Sequence, residues 1–319
     1  MVQDFRPIHS RHRATVRDKS RCLPYNSLVE VAIRDRLRTE PATAPDRGGL
    51  VMARFHVIAG ADGELTHPIV RKIDFGDLSD ALRRGFDDFS EKPSHYVFLC
   101  LIYPLVGVVL AAWSSGANAL PMLFPLMSGF ALIGPFAAIG LYEISRRREA
   151  GMNTSWRHAF DVRKSPALPS IAAVGGLLFA VFIAWLLTAQ ALYTSLFGDT
   201  APASIGALLG DVLGTERGWT LILLGNLIGL LFAIVVLTTT VIAFPLLLDR
   251  DVGAYEAIST SAAAVLANPL PMAAWGLIVA VLLAIGSVPL FAGLAVVIPV
   301  LGHATWHLYR KVIEPPPGL

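Results

Sequence analysis

The sequence predicts an all-α fold, a polytopic membrane bundle of six transmembrane helices with amphipathic helices at the membrane surface. Two features of the composition support this prediction. Of the 319 residues, 54% are hydrophobic and 16% are charged, whereas a soluble domain carries about 25% charged residues. Uncharged runs long enough for bilayer-spanning helices of about 20 residues occur at 97–113, 119–142, 167–198, 218–248 and 257–309. The last run has room for two spans.

Basic residues are distributed asymmetrically over this predicted topology. All of the 26 Lys and Arg residues except Arg217 fall on segments that can share one side of the membrane. Basic residues collect on the cytoplasmic side of multi-pass proteins, so we expect both termini in the cytoplasm. The net charge of +2 is too small to indicate a nucleic-acid partner. The lipid bilayer is the partner that the composition predicts.

Residues 1–51 differ from the rest of the chain. They contain ten Lys and Arg residues and have weak apolar periodicity, which predicts a disordered basic tail. The alternative is an arm that attracts anionic lipid or a protein partner. A further hypothesis places the true start at Met52. The rest divides into a linker at 52–76, the six-span domain at 77–311 and a short tail at 312–319.

One plan is predicted to occur three times in the membrane domain, in units at about 77–146, 151–250 and 253–311. Each unit consists of an interfacial amphipathic helix, a bend marked by proline and a hairpin of two spans. In the first unit the apolar face comprises Leu78, Ala81, Leu82, Gly85, Phe86 and Phe89, and the opposite face comprises Asp80, Arg83, Arg84, Asp87 and Asp88. This pattern predicts a helix in the headgroup plane, capped by Asp77 or Ser79 and ended by Pro93.

The second and third units carry shorter versions of this surface helix. Asn153 is the predicted cap of a helix with Trp156, Ala159 and Phe160 on one face. In the third unit the apolar stripe comprises Tyr255, Ile258, Ala262 and Leu266. The alternative to a true internal repeat is convergent patterning of segments that lie on the membrane surface.

The six spans are predicted at roughly 95–113, 120–142, 169–195, 218–247, 270–286 and 289–308. The outer loop 196–217 carries apolar residues at helical spacing: Ile205, Leu208, Leu209, Val212 and Leu213. This loop is predicted to form an amphipathic helix on the outer leaflet or a shallow re-entrant turn.

Three stretches resemble one known family. They are GPFAAIGLYEISRRREAG at 134–151, the preceding RKIDFGDLSDALRRGFDDFSEKP and the later FPLLLDRDVGAYEAI. The chain resembles, over about residues 70–311, the bacterial inner-membrane proteins grouped as domain of unknown function 2189. The resemblance implies a location in the bacterial inner (cytoplasmic) membrane. Some members of that family are labelled cytochrome c oxidase subunit I, which is a testable function.

The histidines exclude catalytic oxidase activity. A haem-copper subunit needs about six histidine ligands at mid-membrane depth, and of the eight histidines only His303 and His307 fall within a predicted span. These two are four residues apart and share a helix face, and His95 can approach from the same side. They are candidates for a metal or haem site, although two ligands rarely suffice. The alternative, which we favour, is interfacial anchoring by Trp306 and Tyr309, with no cofactor.

Two acids occupy matching places at the cytoplasmic ends of the second and fourth spans, Glu143 and Asp249. Arg146, Arg147 and Arg250 are their available partners. We expect structural ion pairs that hold the surface helices to the bundle. The alternative is a pair of acids that handles protons or substrate in an inward-open cavity.

The function predicted from these features is a non-enzymatic accessory, scaffold or assembly partner of another membrane complex, with self-association also open. The motivation is the lack of catalytic motifs in largely apolar spans. The alternative is a channel or facilitator for a small neutral or amphiphilic solute. It is motivated by the five prolines that interrupt four of the predicted spans, Pro104, Pro125, Pro135, Pro245 and Pro299, because kinks expose backbone carbonyls.

Overall fold

The computed structural model describes residues 68–91, 105, 120–199, 202–289 and 291–315. The predicted tail 1–51, most of the linker 52–76, most of the first span 95–113 and His95 lie outside the described residues. The part that is described confirms an all-α fold. Its extended pairing is limited to an antiparallel bridge between Val70 and Ile313.

The α-helices, numbered in chain order within the described residues, have the following bounds. They are α1 Phe75–Glu91, α2 Leu123–Leu132, α3 Gly134–Ala137, α4 Ile139–Glu149, α5 Leu168–Phe197, α6 Ile205–Gly214, α7 Glu216–Thr240, α8 Ala243–Asp249, α9 Ala254–Ala267, α10 Pro269–Ser287 and α11 Leu294–Val312. Two 3₁₀ helices, Leu120–Met122 and Trp156–Lys164, precede α2 and α5.

Within the described ranges, three elements are long and apolar enough to cross a membrane. They are α5, the run Glu216–Asp249 formed by α7 and α8, and α10, and they correspond to the predicted third, fourth and fifth spans. Their large apolar side chains are widely exposed, as at Leu187, Leu223 and Leu277. Exposed apolar surface on this scale is expected where lipid is the solvent.

The predicted second span is divided into short helical segments, and the predicted sixth span is mostly buried. The segment 120–142 is divided into a 3₁₀ turn, α2, α3 and the start of α4, with Pro135 at the beginning of α3. A proline at this position lacks the N–H that would continue the preceding helix. Helix α11 contains Pro299, and Arg310 and Lys311 lie in its last turn. Its buried residues extend from Leu294 to Val312, so this helix is packed mainly against protein.

The apolar face of α1 packs against α11, where the sequence had predicted contact with headgroups. Leu78, Ala81 and Phe89 are buried in this contact. Phe86, predicted for the same face, is exposed. Asp88 was assigned to the polar face, and that assignment is wrong because its side chain is buried.

The other two surface elements also differ in detail from their predictions. The segment Trp156–Lys164 is a 3₁₀ helix, and the Asn153 side chain accepts the Ser155 N–H at 3.0 Å instead of capping the helix. In α9 two members of the predicted stripe, Tyr255 and Leu266, are exposed, whereas Ile258 packs against the core. Its buried residues are mostly small and include Ala257, Ser261 and Ala264, although Glu256 is buried as well. Helices meet closely where side chains are small.

The three surface elements follow one packing rule. Helix α1 packs on α11, the 3₁₀ helix Trp156–Lys164 on α4, and α9 on α8 and the adjoining α7. Each therefore rests on the last helix of another predicted unit, in cyclic order. The ends of α4, α8 and α11 also contact one another. The core between them is fully buried at Leu141, Phe244, Leu246 and Trp306.

The break between α7 and α8 is stabilised by α9. Helix α7 ends at Thr240 and α8 begins at Ala243, two residues before Pro245, whose ring cannot follow an unbroken helical turn. The Ser261 hydroxyl accepts the Ile242 N–H at 3.3 Å. A backbone donor freed by the break thus has a buried partner.

The loop 196–217, which was predicted to lie outside, contains a helix at the predicted place. Helix α6 is capped by the Ser204 side chain, which accepts the Ala207 N–H at 3.1 Å. Its apolar residues Ile205, Leu209 and Leu213 are exposed. The helix is apolar and short.

Candidate functional site

Within the described residues, a large group of polar side chains lies at the adjoining C-terminal ends of α4, α8 and α11 and on α1, which packs on α11. These ends carry the basic residues that follow the apolar stretches, such as Arg146 and Lys311, because charged side chains are excluded from hydrocarbon. Helix C-termini also favour positive charge through the helix dipole. The local sequence therefore places many ionisable groups in one layer, and the packing of the helices decides which of them pair.

Asp88 is the centre of the first group. Its Oδ2 accepts the Ser145 hydroxyl at 2.7 Å and His307 Nε2 at 3.0 Å. Its Oδ1 pairs with Arg148 at 2.8 Å. Three donors from α4 and α11 thus hold one carboxylate of α1, so Asp88 fastens the surface helix to the bundle. Burial alone would raise the pKa of Asp88, but the bonds from His307 and Ser145 outweigh it and leave that pKa below its ordinary value.

His303 joins this group through Ser145. The Ser145 Oγ lies 2.7 Å from His303 Nδ1. Because the one hydroxyl hydrogen is donated to Asp88, His303 Nδ1 must donate to the hydroxyl oxygen. The order is therefore His303 to Ser145 to Asp88. In a nucleophile triad the histidine accepts the serine proton and lies between the two other residues, so this arrangement does not activate Ser145.

The candidate metal ligands His303 and His307 lie beside a carboxylate and a guanidinium, and His95 lies outside the described residues. His303 and His307 share a face of α11, and Asp88 supplies a nearby carboxylate. Arg148 occupies the other oxygen of that carboxylate, and a guanidinium there repels a cation. Within the described ranges, which omit His95, no group of three or more His, Cys, Asp and Glu side chains is placed to hold a metal ion.

Asp249 is the centre of the second group. Its Oδ2 accepts the Tyr309 hydroxyl at 2.5 Å and pairs with Arg310 at 3.0 Å. The predicted partner Arg250 is farther away, at 3.6 Å. Burial and the nearby Asp249 carboxylate raise the pKa of Tyr309, so its phenol stays protonated and donates.

Trp306 and Tyr309 were predicted to lie in the aromatic belt, and this prediction is wrong. Both side chains are fully buried. The Trp306 Nε1–H donates to Glu149 at 3.0 Å, and the same carboxylate pairs with Arg310 at 2.8 Å. The guanidinium of Arg310 lies 5.0 Å from the centre of the Trp306 ring, within the range of a cation–π contact. Arg310 thus joins α4, α8 and α11.

Glu143 is held by its own helix. Arg146 makes a two-fold contact with its carboxylate at 2.8 and 2.9 Å, and Arg147 adds a bond at 2.8 Å. Arg147 also reaches Asp161 of the 3₁₀ helix at 3.0 Å. Hydrogen bonds from Lys164 and His158 lower the pKa of Asp161 to about 2. The predicted acids Glu143 and Asp249 therefore both lie in this layer, but in separate pairs.

A cavity of about 380 Å³ opens beside the Asp88 group. Its basic lining residues are Arg84, Arg148, Arg310 and Lys311, and its other lining residues are Asp88, Ser145, Glu149 and His307. The lining comes from α1, α4 and α11. Small-molecule pockets have volumes from about 300 Å³ upward, so this cavity can take a compact polar group.

Sequence reasoning missed Asp88, Ser145, Arg148 and Glu149 as site residues. Asp88 could have been recognised from the sequence, because its spacing places it on the same helix face as the buried residues Ala81 and Gly85 of α1. A carboxylate on an apolar stripe is costly unless it is paired. Ser145 and Arg148 carried no comparable signal, because their partners are far away in the sequence.

Long apolar helices joined by polar surface helices define an integral membrane protein with several spans. Residues 122–249 match the model of a family described as predicted integral membrane protein (DUF2189). This match confirms the resemblance for those residues, which run from the start of α2 to the end of α8. No curated protein and no solved structure matches the chain.

Proposed function

We propose that this protein is a non-enzymatic accessory or assembly partner of another complex in the bacterial inner membrane. The observation that carries the proposal is an exposed stripe on α7. At spacings of three or four residues it comprises Trp219, Leu223, Asn226, Leu230 and Ile234. Such a stripe follows one helix face, and its middle residue is an amide among apolar side chains.

The amide is the informative member of the stripe. Asn226 Nδ2 donates to the Ile222 carbonyl of its own helix at 2.7 Å. The amide is nevertheless exposed on the outer surface of this apolar helix. In hydrocarbon such a group gains about 0.6–2 kcal/mol from bonding to a neighbouring helix. A partner helix seated on the stripe would supply that bond.

The other association motif on α7 faces inward. A Cβ on Gly229 would lie 3.3 Å from the Trp185 ring, and one on Gly225 would lie 3.8 Å from Leu192. The small residues of this GxxxG pattern are therefore used by α5. The Asn226 stripe lies on a separate face, which supports contact with another protein.

The channel alternative finds less support. The helix breaks near Pro135 and Pro245 bring Phe136 and Phe244 into contact, with ring centres 5.9 Å apart. Leu141 fills the space beside Gly302 in α11, where a Cβ would stand 2.6 Å from the leucine. Dense packing between the predicted units leaves little room for a solute path there.

The same proposal includes six spans, a threefold repeat and cytoplasmic termini. The cyclic packing of the three surface elements supports the repeat. The basic ends of α4 and α11 support the orientation, since they lie in one layer, whereas Arg217 begins α7 at its other end. Cysteine substitutions at Arg217 and Lys164, labelled from outside in intact spheroplasts, test this topology. Labelling at Lys164 would contradict it.

Co-purification in mild detergent tests the assembly role. We expect a stoichiometric membrane partner to accompany the native protein and to be lost in Asn226→Leu. The matched control is Thr188→Leu on α5, another exposed polar residue bonded within its own helix, which should retain the partner. Retention by both variants, or no partner in several detergents, would refute the proposal. A partner that proves to be a second copy would indicate self-association.

A further inference from the structure

We infer that the cavity beside Asp88 binds a phosphate group. The inference goes beyond the assembly role. The cavity lies at one end of the bundle, whereas most of the exposed stripe on α7 lies towards the other end. Its basis is the convergence of four basic side chains from three helices: Arg84 of α1, Arg148 of α4, and Arg310 and Lys311 of α11. Basic pockets between helices at a cytoplasmic membrane surface are suited to phosphate headgroups.

Each of the two carboxylates of the lining accepts bonds from at least two side-chain donors. Asp88 accepts from Ser145, His307 and Arg148. Glu149 accepts from Trp306 and Arg310. Glu149 accepts both bonds through Oε2 and is 43% exposed, and Arg148 also pairs with Glu91 at 2.9 Å. The two acids also orient Arg148 and Arg310, and orientation in advance reduces the entropy cost of binding.

Arg84 is the most available of the four cations. Its Nε pairs with Asp80 at 2.8 Å, and its side chain is 56% exposed. Only Nε is used in that pair, so the terminal nitrogens of the planar guanidinium can bind oxygens of a phosphate. Lys311 is held by Asp77 and Asp80 at 3.0 and 2.9 Å and contributes mainly through its charge.

The phosphate can come from a lipid headgroup or from solution. The proposed topology places the cavity at the cytoplasmic surface, where a phosphodiester headgroup can reach it from the side. A soluble phosphate would enter from the cytoplasm. Both use the same recognition, a tetrahedral anion held by arginine side chains, and the experiment must separate them.

The chain offers a close control for Arg84. The neighbouring Arg83 also pairs with Asp80, at 2.6 Å, and is 68% exposed, but it does not line the cavity. Arg84→Gln and Arg83→Gln remove the same charge from the same helix. A difference between them measures the cavity rather than the general potential of the surface.

The test is native mass spectrometry of the full chain from detergent micelles titrated with phosphatidylglycerol. We expect one retained lipid, with an affinity about fivefold lower in Arg84→Gln and within twofold of the parent in Arg83→Gln. Thermal unfolding of each variant, which should be unchanged, verifies folding. If a lipid is retained, equal loss in both variants, or no loss in either, overturns the inference.

A second arm identifies the source of the phosphate. Inorganic phosphate is titrated while thermal unfolding is measured in a zwitterionic detergent free of anionic lipid. Stabilisation that depends on Arg84 and not on Arg83, without lipid retention, supports the cavity with a soluble ligand. Retained lipid that phosphate does not displace supports the headgroup. No Arg84-dependent response in either arm refutes the site without bearing on the Asn226-dependent partner.

Discussion

Gly85 of α1 and Ala304 of α11 lie in direct contact: a Cβ placed on the glycine would stand 2.6 Å from both the Cβ and the amide nitrogen of the alanine. This approach brings the two helices close enough for Asp88, one turn further along α1, to reach His307 and Ser145. The polar site therefore depends on the contact between these two small residues.

Gly85→Ala is expected to destabilise the protein by about 1–3 kcal/mol, because the obstructing atoms are backbone and cannot move aside. The measurement is the apparent free energy of unfolding in mixed detergent micelles. Gly176→Ala on α5 is the control, since a Cβ there meets nothing within 4 Å. The control should gain up to about 1 kcal/mol from helix propensity. Equal effects at both positions would contradict the contact.

Asp88→Asn is expected to lower the apparent free energy of unfolding by about 1.5–3 kcal/mol, the range for hydrogen bonds to a charged group. The variant retains the shape of the side chain but loses the charge that Arg148 and His307 bind. Asp87→Asn, at a side chain that is 58% exposed, should change stability by less than about 0.5 kcal/mol. The idea fails if the two substitutions cost the same.

The difference between the parent and Asp88→Asn should depend on pH. The folded-state pKa of Asp88 lies below its ordinary value of 3.8, so the stabilisation is full above the unfolded-state pKa. It is lost as the pH falls through the lower folded-state pKa, where both states become protonated. Unfolding measured from pH 7 downward should show the two curves converging only in strong acid. Convergence near neutral pH would contradict this assignment.

Tyr309→Phe should cost about 1.5–3 kcal/mol, because it removes the buried hydroxyl that donates to Asp249. Arg310 remains bound to the carboxylate, so the helix ends should stay joined. Tyr255→Phe, at an exposed position of α9, serves as the control and should be nearly neutral. Comparable losses in the two variants would indicate that the bond to Asp249 contributes little.

Ser261→Ala should destabilise the break between α7 and α8 by about 1–3 kcal/mol, because the buried Ile242 N–H loses its acceptor. Ser259→Ala is the matched control two residues earlier on α9. Its hydroxyl donates only to a carbonyl of its own helix. Hydrogen exchange at Ile242 gives a local measurement. Unchanged protection in Ser261→Ala would show that the serine is not the partner in solution.

The sequence could predict the class of protein because the lipid bilayer constrains the length and polarity of each spanning helix separately. A helix that crosses hydrocarbon must be long and apolar whatever it packs against, so α5, α7 and α10 can be read from the chain. The same holds for the basic residues at helix ends, such as Arg146 and Lys311. Their position along the sequence is enough to place them outside the hydrocarbon.

The sequence alone could not predict that α1 is buried against another helix. An apolar stripe with a charged opposite face suits a headgroup layer and a protein surface equally well. Only the packing on α11 decides between them. It also explains why Asp88, which follows the stripe, has polar partners at its buried position.

By itself the sequence determined the all-α membrane class, three of its long spans and the layer that holds the ionisable groups. The tertiary structure alone decided which groups meet in that layer. Asp88, Ser145 and His303 are separated by long stretches of chain, and so are Asp249 and Tyr309. Charge and hydropathy are properties of each residue and its near neighbours, whereas these pairs depend on how the helices cross.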